Sequence, residues 1–211
     1  MERKSRRFET AGQEDFTRLL SLHFSPVGAL PRCRILQLHR HYLLLTRWNR
    51  VLNLTSIRTL EDAVVRHYCE SLFLGMRLPV RPLSVLDLGS GGGFPGIPMA
   101  VLRPDCSLTL SECHQRKAVF LREASRELPN VRLYAGRAET LAESFEWVVS
   151  RGVRWQEVLP IAHRLGRKVG LLVGGCDAAR IIDSPGFRWD EPLPLPWGNR
   201  RLLLVGEVCS T

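Results

Sequence analysis

The sequence predicts an α/β protein whose mainly parallel sheet is wound with helices on both faces. An N-terminal helical extension precedes that sheet, and an antiparallel hairpin ends it. Three observations carry the expectation. From residue 83 onward, short apolar runs alternate with segments of helical periodicity, the pattern of a parallel sheet. A cluster of glycines directly follows the first of those runs. The last two runs are joined by a Pro-rich loop too short for a helical crossover, so one of them must run antiparallel.

Residues 1–12 read as a basic, frayed tail, and 14–23 as a short helix with Phe16, Leu19, Leu20 and His23 at helical spacing. Pro26 and Gly28 then break the chain. Pro31 suits the opening of a second helix, where its missing N–H would have no partner anyway. That helix should run to about Asn49 and bury Ile35, Leu38, Tyr42, Leu45 and Trp48. A third starts near Glu61 and Asp62, acids suited to the positive helix end. It carries Val64, Val65, Tyr68, Leu72 and Met76 and stops before Pro79. Strands are expected at 83–88, 107–111, 131–134, 147–150 and 169–173, with helices at 95–102, 114–127 and 155–165. The closing strands are 187–189 and 201–205, with Gly198-Asn199 in the loop between them. The chain thus divides into a basic helical region, 1–80, and a sheet domain, 81–211.

With 211 residues, 45% of them hydrophobic and 24% charged, the chain has an ordinary globular composition and is long enough to fold without disulfides or metal. No apolar run approaches the ~18–20 residues of a membrane span. No apolar stretch follows the basic start, so no secretory signal is expected. The six cysteines show no C-x-x-C spacing and no histidine at a zinc-ligand offset. A reduced, cytoplasmic, metal-free protein is therefore expected, and the sequence leaves oligomeric state open, with a monomer the default. Charge is more informative. Of the formal net charge of +9, residues 1–60 carry +7, from 11 Lys and Arg against 4 Asp and Glu. A basic block beside a balanced domain suits either a polyanion, nucleic acid before membrane, or a solvated face. Nearly all of it is arginine, which adds forked phosphate recognition and base stacking.

The chemistry concentrates in Asp87-Leu88-Gly89-Ser90-Gly91-Gly92-Gly93-Phe94-Pro95-Gly96. Glycines just past a strand let backbone approach a ligand, and the following helix start offers free N–H groups. Gly91-x-Gly93-x-x-Gly96 formally fits a dinucleotide site, but it begins beyond the strand end and leaves Asp87 unused. A buried carboxylate there is expensive unless it meets a cationic or donor-rich ligand, such as the ammonium and backbone of a methionine moiety. Glu112, ending the second strand, can accept from both ribose hydroxyls, as in dinucleotide sites too. The Asp87-x-Gly-x-Gly-x-Gly pattern favours S-adenosylmethionine.

Several segments together resemble the bacterial small-subunit rRNA guanine-N7 methyltransferases, the glucose-inhibited division protein B family. They are Trp48-Asn49-Arg50-Val51-Leu52-Asn53-Leu54-Thr55-Ser56-Ile57-Arg58, Val65-Arg66-His67 with Ser71-Leu72, and the glycine loop through Ile97-Pro98. Lys117-x-x-Phe120-Leu121-Arg122, Gly136-Arg137-Ala138-Glu139 and Ser150-Arg151 continue the likeness, which is strong over about residues 40–152. The resemblance implies a Rossmann-like class I methyltransferase fold and methyl transfer from S-adenosylmethionine to a guanine N7 of 16S rRNA, guanine 527 in the family. It implies that Gly89, Phe94, Ala138, Glu139 and Arg151 line the cofactor, beside Asp87, Gly91, Gly93 and Glu112 of the loop reading. Arg137 and Arg151, at strand ends, could hold RNA phosphates or the target base, or lie on plain surface. Asn53 reads equally as a cap and as an RNA contact, and His67 equally as a structural and an active-site histidine. Trp48, Trp155 and Trp197 could stack on a splayed base, though core packing suits them better.

Guanine N7 is neutral and carries an available lone pair, so its attack on a methyl group needs no general base; positioning and water exclusion should suffice. The chain departs from the family at Leu172-Val173-Gly174-Gly175, which lacks the usual lysine before the glycine, at Gly152, and at Glu70, where an Asp is usual. Arg200 or Arg201 could replace that cation. A methyltransferase of another RNA or a small molecule, a non-catalytic RNA-binding ribosome-assembly factor and a nicotinamide oxidoreductase are the alternatives. The first and leading reading makes 16S rRNA or the small ribosomal subunit the partner.

Overall fold

The computed structural model describes residues 2–57, 59–198 and 200–209, with side chains from residue 12 onward. Two long helices come first, α1 (Glu2–Phe24) and α2 (Arg32–Leu52). The expected tail is therefore the opening of α1 from Glu2 on, while Met1 and the basic side chains of residues 2–11 lie outside the described residues, as do Arg58 and Asn199. Next come α3 (Leu60–Ala63), a π-helical turn (Val64–Cys69) and α4 (Glu70–Arg77), which run on as one rod. The sheet domain follows with β1 (Ser84–Leu88), α5 (Gly96–Leu102), β2 (Ser107–Ser111), α6 (Gln115–Ala124) and β3 (Val131–Tyr134). A 3-10 turn (Ala138–Thr140), β4 (Phe145–Arg151), α7 (Trp155–Leu165), β5 (Gly166–Gly174) and α8 (Gly175–Ile182) lead to the closing strands. Those are β6 (Phe187–Trp189), β7 (Leu193–Pro194) and β8 (Arg201–Val208).

The sheet order is β3-β2-β1-β4-β5-β8-β6, with β7 added beside β8. β1 to β5 pair in parallel, and β8 runs antiparallel to β5, β6 and β7. This is the expected α/β arrangement with its antiparallel end. The strand order reverses between β1 and β4, the switch point at whose carboxyl ends ligands bind in such sheets.

Alternation along β1 shows how the layers form. Val85 faces one hydrophobic cluster, with α1, α2, α4, α5 and α6, while Leu86 and Leu88 face the other, with α7 and α8. The first cluster runs without a break from Phe16 to Leu203, so the helical region and the sheet share one core. Phe16 meets Tyr68 edge-on with ring centroids 5.2 Å apart, and Trp197 Nε1 donates to the His23 carbonyl at 2.8 Å. Trp48 likewise packs on Phe120 and donates to Glu123 at 3.0 Å, and Trp155 packs against the second cluster.

Two expectations about buried faces change. On α2 the interior face takes His39 and His41, while Tyr42 and Trp48 are only half-buried. In the third helical segment the π turn adds a residue to one turn and rotates the remainder of the rod, so Met76 points outward and Glu70 inward. No helix among the described residues is long and apolar enough to cross a membrane.

Candidate active site

A crevice of about 830 Å³ opens over the carboxyl ends of β1, β2 and β4. The glycine loop forms its floor. Gly89, Gly91 and Gly93 have φ of 73°, 54° and 86°, a region that L side chains rarely adopt. The loop hangs from β2: Gly89 N and Ser90 N both donate to the Ser111 carbonyl at 3.0 Å. Glu112, nearly buried, accepts from Gly91 N at 3.0 Å and from His114 N at 2.8 Å. Those two bonds leave further lone pairs on its oxygens for a ligand in the crevice.

Asp87 does not reach the crevice. It is fully buried on the α5 side of β1, and its Oδ2 accepts from Gly96 N at 2.9 Å. It therefore ties the start of α5 to the sheet and does not line the crevice where the sequence expectation set it. Among the described residues its Oδ1 has no partner, and burial pushes the carboxyl up to about 7. Gly93 also stands off the lining. A Cβ there would meet Ile97 Cδ1 at 2.5 Å, so its absence serves loop packing.

Gly89, Gly91, Phe94 and Glu112 line the crevice, joined by Ala138 and Glu139 from the turn after β3. That turn is fastened by Arg164 of α7, which donates to the carbonyls of Ala138, Glu139 and Leu141 at 3.1, 2.9 and 2.9 Å. Arg137 lines the same end with an exposed side chain.

Across the crevice lies the strap 53–57. Asn53 is the C-cap of α2, in the left-handed region at φ 47°, which is the cap role read from the sequence, and it also lines the crevice. His67 shares a 2.7 Å hydrogen bond with Thr55 Oγ1 and stacks on Phe94, with centroids 4.4 Å apart and planes 11° apart. Burial, then the nearby Arg151, pushes its imidazole down to about 2, so the ring is neutral. Its Nδ1 is buried without a partner among the described residues.

Arg151, at the end of β4, reaches Glu70 Oε2 at 3.4 Å, and Arg201 of β8 grips both Glu70 oxygens at 3.1 and 2.8 Å. Arg201 stands opposite Gly174 in the β5–β8 register, so it brings a cation to the wall where the family's lysine is missing; Arg200 does not line the crevice. Sequence reasoning gave Glu70 no site role. It is 2% exposed and organises two arginines that lie 81 and 131 residues away. Thr55, Arg66, Lys117 and Glu157 also line the crevice and were missed as site residues.

Comparison with known proteins points to the same stretch of chain. A family model described as rRNA small subunit methyltransferase G matches residues 34–174. The protein named Ribosomal RNA small subunit methyltransferase G from Methylobacillus flagellatus is 41% identical over 170 residues, 66% of this chain and 82% of its own length. The protein of the same name from Xanthomonas axonopodis pv. citri is 45% identical over 106 residues, 49% of each chain. The chain thus spans about half the length of the first curated relatives it matches. Among solved structures, magnesium protoporphyrin IX methyltransferase from Synechocystis with bound SAM matches with a TM-score of 0.58 at 15% identity, over 86% of this chain and 99% of that one. The shared feature is the class I methyltransferase fold.

Proposed function

The chain belongs to the rRNA small subunit methyltransferase G family, and on that premise we propose that it transfers a methyl group from S-adenosylmethionine to N7 of a guanine in 16S rRNA. One observation carries this reading: a single crevice joins a glycine-loop floor fit for a nucleoside to a rim bearing Arg66, Arg137, Arg151 and Arg201, fit for RNA. The residues suit the cofactor. Glu112 keeps acceptor capacity for ribose hydroxyls, and a Cβ on Gly91 would meet nothing nearer than the Gly89 carbonyl at 3.7 Å, leaving room for a ligand against bare backbone.

When bound, S-adenosylmethionine supplies an electrophilic methyl group on a sulfonium centre. The protein's task is then to place a guanine N7 lone pair in line with it and keep water out. Phe94 and Ala138 give the floor its apolar surface, Glu139 flanks the end for the adenine, and Arg137 and Arg151 hold the RNA. Neutral His67 adds no positive charge to repel a cationic sulfonium. None of these side chains is asked to take a proton, as N7 attack requires. The proposed partner is 16S rRNA or the small ribosomal subunit, which sets the work in the cytoplasm.

Calorimetry with S-adenosylmethionine tests the floor. Glu112→Gln should weaken binding roughly tenfold through the lost charge-assisted bonds. Gly89→Asp should abolish binding, because even a Cβ at that position collides with Val153. Unchanged affinity in both variants would remove the cofactor from this crevice.

A further inference from the structure

Helix α2 presents His41, Leu45 and Asn49 one turn apart, on a single face. His41 is buried, with Nε2 3.0 Å from the Gly92 carbonyl and Nδ1 2.9 Å from the Tyr68 hydroxyl. A carbonyl can only accept, so Nε2 carries the proton and donates, and Nδ1 accepts from Tyr68. Burial pushes this imidazole down to about 4, which keeps the ring in that neutral form. Leu45 packs on the same glycine: a Cβ at Gly92 would come within 3.2 Å of Leu45 Cδ1. One turn further, Asn49 Nδ2 donates to the Thr55 carbonyl and Thr55 N donates to Asn49 Oδ1, both at 2.9 Å. Thr55 then holds His67, which stacks on Phe94. One helix face therefore grips both the floor of the crevice and the wall across from it.

We infer that His41 is a positioning residue for the glycine loop, fixing the Gly92 carbonyl with Tyr68 behind it while Asn49, on the same face, fixes the opposite wall. The inference deepens the reading of this crevice as the S-adenosylmethionine site and rests on it. A loop rich in glycine has many conformations to lose, so its shape needs outside anchors. Among the described residues, His41 is the one side chain that donates to a carbonyl between Gly89 and Gly93. It does not line the crevice, so it acts through the loop and touches no reactant.

The test combines hydrogen–deuterium exchange of the 89–97 segment in the ligand-free protein with calorimetric affinity for S-adenosylhomocysteine. His41→Leu removes the donor and should speed loop exchange and weaken affinity, each roughly tenfold. His41→Gln should restore both, because its amide can donate to Gly92 and accept from Tyr68. Tyr68→Phe should give a smaller change of the same sign, and it carries the test if His41→Leu does not fold. Loop exchange equal to wild type in His41→Leu, or a glutamine variant as impaired as the leucine variant, would reduce His41 to core filling and overturn the inference. If the wild-type protein binds no S-adenosylhomocysteine, the cofactor reading fails, and the exchange data still judge the grip of His41 on the loop.

Discussion

Asp87, His41 and His67 are buried titratable groups close to one loop, and their shifts set how stability responds to acid. His41 and His67 sit at about 4 and about 2, below the ordinary 6.5, so the unfolded chain takes up their two protons first as pH falls. Asp87 sits at about 7, above the ordinary 3.8, so across the same window the folded chain holds one proton that the unfolded chain has lost. From these three groups the unfolded state thus binds one net proton more between about pH 6.5 and 4, and His39, whose imidazole burial also pushes down, adds in the same direction. Stability of the ligand-free protein should fall by at least about 1.4 kcal/mol per unit as pH drops through that window, the share of these three groups. Urea unfolding at pH 6 and pH 5 measures the slope. Asp87→Asn removes the opposing proton and should roughly double it; an unchanged slope would mean that Asp87 is ionised in the fold. At this scale the glycines and acids of the loop were legible because their spacing is local. The turn of Asp87 toward Gly96, and the hold of Glu70 on Arg151 and Arg201, were hidden because side-chain direction and partners 81 to 131 residues away leave no local pattern.

At the scale of elements, periodicity located what is long or strongly patterned. β2, β3, α7 and β6 fall on the expected residues, and β1 and β4 within two residues at either end. Besides the short 3-10 turn after β3, four features escaped. The opening of α1 carries too many charges for an apolar stripe, α8 is short, β7 is two residues inside a Pro-rich loop, and the π turn depends on packing that sequence spacing does not encode. That π turn brings His67 against Phe94 and Glu70 against the arginines, so it shapes the site more than most strands do. The junction of β1, β2 and α5 is equally exacting. A Cβ at Gly96 would collide with Leu110 Cδ2 and lie 2.5 Å from Asp87 Oδ2. Gly96→Ala should therefore cost about 1–3 kcal/mol in denaturant unfolding, and full wild-type stability would show that the start of α5 can shift freely.

For the whole molecule, the expected division at residue 80 falls between α4 and β1, yet the hydrophobic cluster crosses it from Phe16 to Leu203. The helical region supplies a wall of the crevice and the anchors of its floor, through Asn53, Thr55 and His67 on one side and His41 on the other. Most of the excess positive charge, +7 of +9, belongs to residues 1–60, so the region that buttresses the crevice floor also carries much of the charge on which the proposed RNA binding would draw. Composition made that asymmetry legible, and the resemblance tied it to a reaction. That the basic helical region and the crevice floor share one core became visible only in three dimensions. The central claim is methyl transfer to a guanine N7, and labelling tests it most directly. The protein is incubated with tritiated S-adenosylmethionine and small ribosomal subunits from cells lacking its gene, and the labelled base is mapped by cleavage at N7-methylguanine. Label at a single guanine of 16S rRNA, lost with Gly89→Asp, is the predicted result; cofactor binding without RNA label, or label on another atom, would contradict it.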